Sequence, residues 1–120
     1  MTPTTLVVGA SYAAREAAIA GSLQAGQQTV VILEGLPDGK STSLLQQALV
    51  QDIRRIAPGC ICCSGSLTMR VTLNRVLRHP PQRLFISLAS ADHLAQIHEF
   101  LSAPSYAALI SLTEDICMPP

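Results

Sequence analysis

Apolar residues along this chain fall into short unbroken runs separated by segments of helical spacing. The runs are Thr4 to Gly9 (TTLVVG), Gln28 to Glu34 (QTVVILE), Arg83 to Ala89 (RLFISLA) and Tyr106 to Leu112 (YAALISL). Runs this short, without polar alternation, mark strands buried on both faces. Between the first two, Ala13 to Ala25 is Ala-rich with Ile19 and Leu23 at helical spacing, and Gly26 is placed to end that helix. Gly35 to Gly39 has turn composition, and Ser41 can cap a helix to about Gln51. Residues 53–58 read equally as a helix extension or a short strand. Ser66 caps a helix to about Arg78, carrying Leu67, Val71, Leu73, Val76 and Leu77, and His79-Pro80-Pro81 stops it. Ser90 or Asp92 caps a last helix to Leu101, with Leu94, Ile97 and Leu101 in one stripe. Residues from about 113 onward read as a loose tail.

Continuous strands alternating with helices predict an α/β fold. Residues 1–120 are expected to form a single doubly wound, P-loop or Rossmann-like domain, with a mainly parallel sheet of at least four strands flanked by helices. In such sheets ligands sit beyond the carboxyl ends of the strands, so the loops after the strands are where chemistry is sought.

Composition narrows the function. Eight basic side chains balance eight acidic ones, and only 13% of residues are charged. That balance argues against a polybasic nucleic-acid binder, and the absence of Trp with only two Tyr and two Phe argues against base-stacking platforms. Met1 to Val8 shows no signal-peptide pattern and no apolar run reaches membrane-spanning length. The expected setting is cytoplasmic, without membrane or nucleic-acid partners, where thiols stay reduced.

The loop after the first strand, Gly9 to Glu16, stands where a phosphate-binding P-loop belongs. Gly9 fits that pattern, but Ala14 replaces its second Gly, Arg15 its Lys and Glu16 its Ser/Thr. A Cβ at Ala14 obstructs close approach of phosphate, and a carboxylate at Glu16 repels it. The simplest reading is a strand-to-helix turn without ligand; a weak anion site at the helix N-terminus stays open, with Gly9, Ala14 and Arg15 as its candidates. A second Gly-Lys-Ser-Thr ending occurs at Gly39 to Thr42 and contains Lys40, the chain's sole lysine, but its glycine spacing from Gly35 is one short. An ordinary turn with a Ser cap accounts for it, and Lys40 remains a candidate anion contact.

The most specific feature is Gly59-Cys60-Ile61-Cys62-Cys63-Ser64-Gly65. Thiolates are good ligands for Zn²⁺ and Co²⁺, and a Gly-flanked loop can aim several at one point. The position just before a helix N-terminus favours the thiolate. Three thiolates leave one tetrahedral position for water, another side chain or a second copy of the chain. The competing reading is that some of them are small buried hydrophobes. Cys117 lies far downstream, and nothing in the sequence requires it to join. His93 and His98 are about 140° apart on their helix and form no ligand pair. They and His79 read as surface or capping residues.

With these residues in place, the chain resembles the CobW-type P-loop GTPases, relatives of the UreG and HypB metallochaperones. The resemblance rests on GCICC between the second and third main strands, and on the order TTLVVG, helix, VVILEG, helix, GCICCSGSL, helix, LFISLAS. It implies a domain that moves Zn²⁺ or Co²⁺ to a client metalloprotein, with Cys60, Cys62 and Cys63 as metal ligands. The family's nucleotide motifs do not carry over: Gly9 to Glu16 lack Gly-Lys-Thr, and its acidic residue and glycine after the third strand fall near Ser87 and Ser90. No Asn-Lys-x-Asp segment for reading guanine and no second domain is found, so the resemblance is to a truncated member, and GTP hydrolysis is not expected. Catalysis of any kind is not assigned. The sequence thus supports metal binding or delivery without GTP hydrolysis, to a client or as a homodimer. A nucleotide-binding (GTP or ATP) protein with a non-standard phosphate loop and a non-catalytic interaction module remain as alternatives.

Overall fold

A computed structural model of the chain describes residues 1–24, 26–35, 52–56, 66–89, 92 and 94–118. Its strands are β1 (Thr2–Val8), β2 (Thr29–Glu34), β3 (Asp52–Ile56), β4 (Arg83–Ser87), β5 (Ile110–Leu112) and β6 (Ile116–Cys117). Its helices are α1 (Tyr12–Gly21), α2 (Ser66–Leu77), α3 (Leu94–Leu101) and a single turn, α4 (Pro104–Ala107). The strands form one parallel sheet in the order β3-β2-β4-β1-β5, with β6 also on β1. Residues 53–56, ambiguous in sequence, belong to the edge strand β3. The helix expected from Ser41 lies outside the described residues, as does the loop of thiols.

Alternation of side chains across the pleat splits each strand between two cores. Leu6, Val8, Val30, Ile32, Leu84 and Ile86 face one side, where Met69 and Leu73 of α2 and Ile97 and Leu101 of α3 cover them. Val7, Val31, Leu33 and Phe85 face the other, under Tyr12 and Ile19 of α1. Helices on both faces bury nearly all of β1, β2 and β4, which is why those runs read as unbroken apolar stretches. Each buried Leu, Ile or Phe contributes roughly 1.5–3 kcal/mol. The doubly wound sheet expected from the sequence is the one present.

Three local boundaries differ from expectation. α1 stops at Gly21, where the Ser22 N–H bonds back to Ala20 and Ile19, so Gly26 does not end the helix. The run Tyr106 to Leu112 is only half strand. Pro104 opens a helical turn, Tyr106 enters the core from it, and strand begins at Ile110. Finally, the tail expected to be loose lies against β1. The Thr113 N–H donates to the Thr4 carbonyl, the Met118 N–H donates to the Val8 carbonyl, each at 2.9 Å, and Cys117 pairs with Val8. Central strand β1 has an open side beyond the three-residue β5, and the tail satisfies the backbone groups exposed there.

This strap explains Gly9. Its φ is +91°, and an added Cβ would stand 2.0 Å from the Met118 carbonyl oxygen. Gly9→Ala is therefore expected to lower stability by roughly 1–3 kcal/mol in urea unfolding. Gly21→Ala, with nothing within 4 Å of the new methyl, is expected to be neutral or slightly stabilising in the same measurement.

Candidate site at the carboxyl edge of the sheet

All strands being parallel, their carboxyl ends share one edge, and the connections leaving β1 and β4 diverge there. From β1 the chain crosses to the α1 face; from β4 it crosses to the α3 face. A doubly wound sheet offers its ligand crevice at such a divide. The residues facing this crevice are Gly9, Ala10 and Arg15 from the β1 side and Ser87 from β4. Glu34 and Gly35 adjoin it from the end of β2.

Arg15 points inward from the first turns of α1 and is 4% exposed. Its Nε donates to Ser87 Oγ at 2.7 Å, and its Nη1 donates to the carbonyls of Gly9 and Ala10 at 3.3 and 3.2 Å. The guanidinium thus bridges the end of β4 to the loop after β1. The loop turns its carbonyls towards it through two left-handed residues, Gly9 and Ala10 at φ +52°. A phosphate cradle presents N–H groups to its ligand; here two loop carbonyls face a cation that the chain itself supplies. Burial pulls the Arg15 pKa below its ordinary value, opposed by the charge of Glu34. Glu34, also buried, accepts the Ala89 N–H at 2.9 Å through Oε1 and so ties the end of β2 to the residues after β4. Gly35 passes against this group: a Cβ there would stand 2.8 Å from the Tyr12 ring and 3.3 Å from Arg15 Nη2.

Ser11 caps α1, its Oγ accepting the Ala14 N–H at 3.1 Å. The Ala14 N–H, one of the donors that an anion at this helix terminus would use, is thereby engaged. Glu16 is buried beside Arg15 and meets Arg55 Nη2 of β3 at 3.3 Å, while Arg55 Nη1 donates to the Tyr12 hydroxyl at 2.6 Å. Burial depresses the Arg55 pKa, but the Tyr12 hydroxyl and the Glu16 carboxylate outweigh it and the net shift is upward. Glu16 is thus engaged with β3 through Oε1.

Of the sequence-predicted positions, the structure brings Gly9, Ala14 and Arg15 together at this edge. Lys40, Cys60, Cys62, Cys63, Ser90 and His93 lie outside the described residues. The chain carrying the thiols leaves the carboxyl end of β3 and returns at the N-terminus of α2. Cys117 is exposed on β6, four strand positions from β3, about 19 Å at the ordinary strand spacing. Among the described residues, no three His, Cys, Asp or Glu side chains gather to hold a metal ion. His79 is exposed after α2, whereas His98 is held by Asp115 at 2.8 Å, linking α3 to the tail. Glu34 and Ser87 were not singled out for the roles they take. A carboxylate ending a continuous apolar strand run was the available signal for Glu34. No helix among the described residues is long and apolar enough to cross a membrane.

No family profile and no solved structure matches the chain. Over 67 residues it is 39% identical to a protein named zinc chaperone YeiR from Escherichia coli (strain K12). The match covers 55% of this chain and 20% of that relative, so the chain spans about a fifth of the relative's length.

The Arg15 bridge sets a clear expectation. Arg15→Met leaves the Ser87 hydroxyl and the two loop carbonyls without their donor and should cost roughly 2–4 kcal/mol in urea unfolding. Ser87→Ala removes one acceptor and should cost about 1 kcal/mol. Arg15→Lys should not restore stability, because an ammonium lacks the fork that reaches both partners.

Proposed function

We propose that this chain is a CobW-like metal-handling domain that binds Zn²⁺ through the thiolates of Cys60, Cys62 and Cys63 and passes it on without hydrolysing GTP. The observation that carries the reading is the thiol run itself, Cys60, Cys62 and Cys63 between two glycines, which falls in sequence between β3 and α2. The 39% identity to a zinc chaperone supports a CobW-like relationship and favours Zn²⁺ over Co²⁺ as the cargo.

The chemistry follows from the ligand set. Three sulfurs bind Zn²⁺ as thiolates, and the positive end of the α2 dipole favours that charge on residues just ahead of Ser66. A fourth position is left for water, for a ligand of a client metalloprotein, or for a second copy of the chain, which gives the ion a route of exchange. Because the ligands must lose protons, affinity falls as pH drops.

The absence of GTP turnover is supported by the carboxyl edge. Arg15 stands where a P-loop would place its lysine, yet its guanidinium is engaged with Ser87, Gly9 and Ala10. The Ala14 N–H is engaged by Ser11. Lys40, the other candidate anion contact in the sequence, lies outside the described residues.

Titrating the reduced protein with Co²⁺ as a spectroscopic stand-in should produce a thiolate-to-metal charge-transfer band that Zn²⁺ abolishes. Cys62→Ser should weaken binding by at least about tenfold. Calorimetry with millimolar GTP and Mg²⁺ should give no heat. A band unchanged by Cys62→Ser would reject the thiol site, and heat with GTP would reject the nucleotide-free reading.

A further inference from the structure

A cleft of about 590 Å³ lies on the α2–α3 face, towards the amino end of the sheet and away from the carboxyl edge. Its floor is apolar, built from Leu77, Phe100 and Tyr106, with the two rings 5.1 Å apart and tilted by 31°. The Tyr106 hydroxyl donates to Asn74 Oδ1 at 2.8 Å, so the buried phenol is satisfied within the wall. Along one rim run Arg70, Asn74 and Arg78, four residues apart and therefore on one face of α2 and its continuation. The Arg70 guanidinium lies 5.6 Å from the centre of the Phe100 ring.

Charge is lopsided here. The chain as a whole is neutral, yet among the described residues two arginines line this cleft and no carboxylate does. Among the described residues neither arginine makes an ion pair. At the far lip stands Leu109, 44% exposed, one of the few large apolar side chains the described surface leaves open. Leu109 also lines a second hollow of about 240 Å³, with Met1, Pro80 and Pro81. The two hollows adjoin at Leu109 as a bipartite groove, with apolar residues in both and the arginines in the larger one. A compact ligand would use one hollow only; a chain can fill both.

We propose that this groove docks an acidic segment of a partner polypeptide, its carboxylates at Arg70 and Arg78 and its apolar side chains over Phe100 and Leu109. Arginines beside an aromatic floor, exposed here and desolvated when a partner covers them, are the usual anchors of such contacts. The proposal does not rest on the chemistry of the thiols.

Selection of a displayed library of random dodecapeptides against the intact chain tests this, with selected peptides measured by fluorescence anisotropy. The expected peptides combine Asp or Glu with Leu, Met or Phe, and they weaken as salt is raised. Arg70→Glu/Arg78→Glu should weaken them at least tenfold and Leu109→Ser should weaken them independently. Both arginines are exposed, so circular dichroism should show the fold retained; Arg70→Gln/Arg78→Gln, uncharged and of similar length, serves if it is not. Failure to enrich acidic peptides, or binding to the charge-reversed or neutral variants as tight as to the unaltered chain, overturns the proposal. So does binding of citrate or inorganic phosphate alone as tight as that of the peptides, which would make the cleft a small-anion site.

Discussion

Burial of one guanidinium at the divide between β1 and β4 is the constraint around which the carboxyl edge is organised. A cation removed from water is costly unless its donors are met. Arg15 meets them with Ser87 on one strand and with two carbonyls of the loop after the other. To offer those carbonyls, the loop adopts left-handed geometry at Gly9 and Ala10. To leave room, β2 ends in Gly35, whose missing side chain lets the backbone pass Tyr12 and Arg15. Glu34 supplies a compensating charge nearby and ties the end of β2 to Ala89. Among the described residues, the charged groups at the crevice that the fold would ordinarily offer to a ligand are engaged by internal contacts.

The tail belongs to the same arrangement. Met118 bonds to Val8 and passes over Gly9 so closely that no side chain fits there. The segment from Thr113 to Met118 is therefore a strap across the end of β1, held also by the pairing of His98 with Asp115. Loop, strap and guanidinium fix one another, and each is a reason for the residue type found at the others.

Much of this was legible beforehand. The runs LVV, VVIL and LFIS report strands covered on both sides, because burial on two faces removes alternation. The order of strands and helices then dictates a doubly wound sheet. Replacement of the phosphate-loop residues at Ala14, Arg15 and Glu16 was legible as a departure from pattern, but the direction in which Arg15 turns was not. That direction depends on Ser87, distant in sequence and adjacent only once β1 and β4 pair. The strap was illegible for a related reason: Ile116 and Cys117 make too short a run to signal a strand, and it is the open side of β1 that makes them one. The half-helical character of Tyr106 to Leu112 depends on Pro104 just outside that run.

Engagement of Arg15 by internal partners and the clustering of three thiols in the sequence together lead to the proposed division of labour: a sheet that serves as a rigid mount, and a sulfur site that handles the ion. The most direct measurement is the zinc content of protein purified without chelator and under reducing conditions. The account predicts stoichiometric zinc, one ion per chain or one shared by two, and its loss when Cys60, Cys62 and Cys63 are all replaced by Ser. Zinc-free protein that also fails to take up added Zn²⁺, or a zinc content indifferent to the three substitutions, would contradict it.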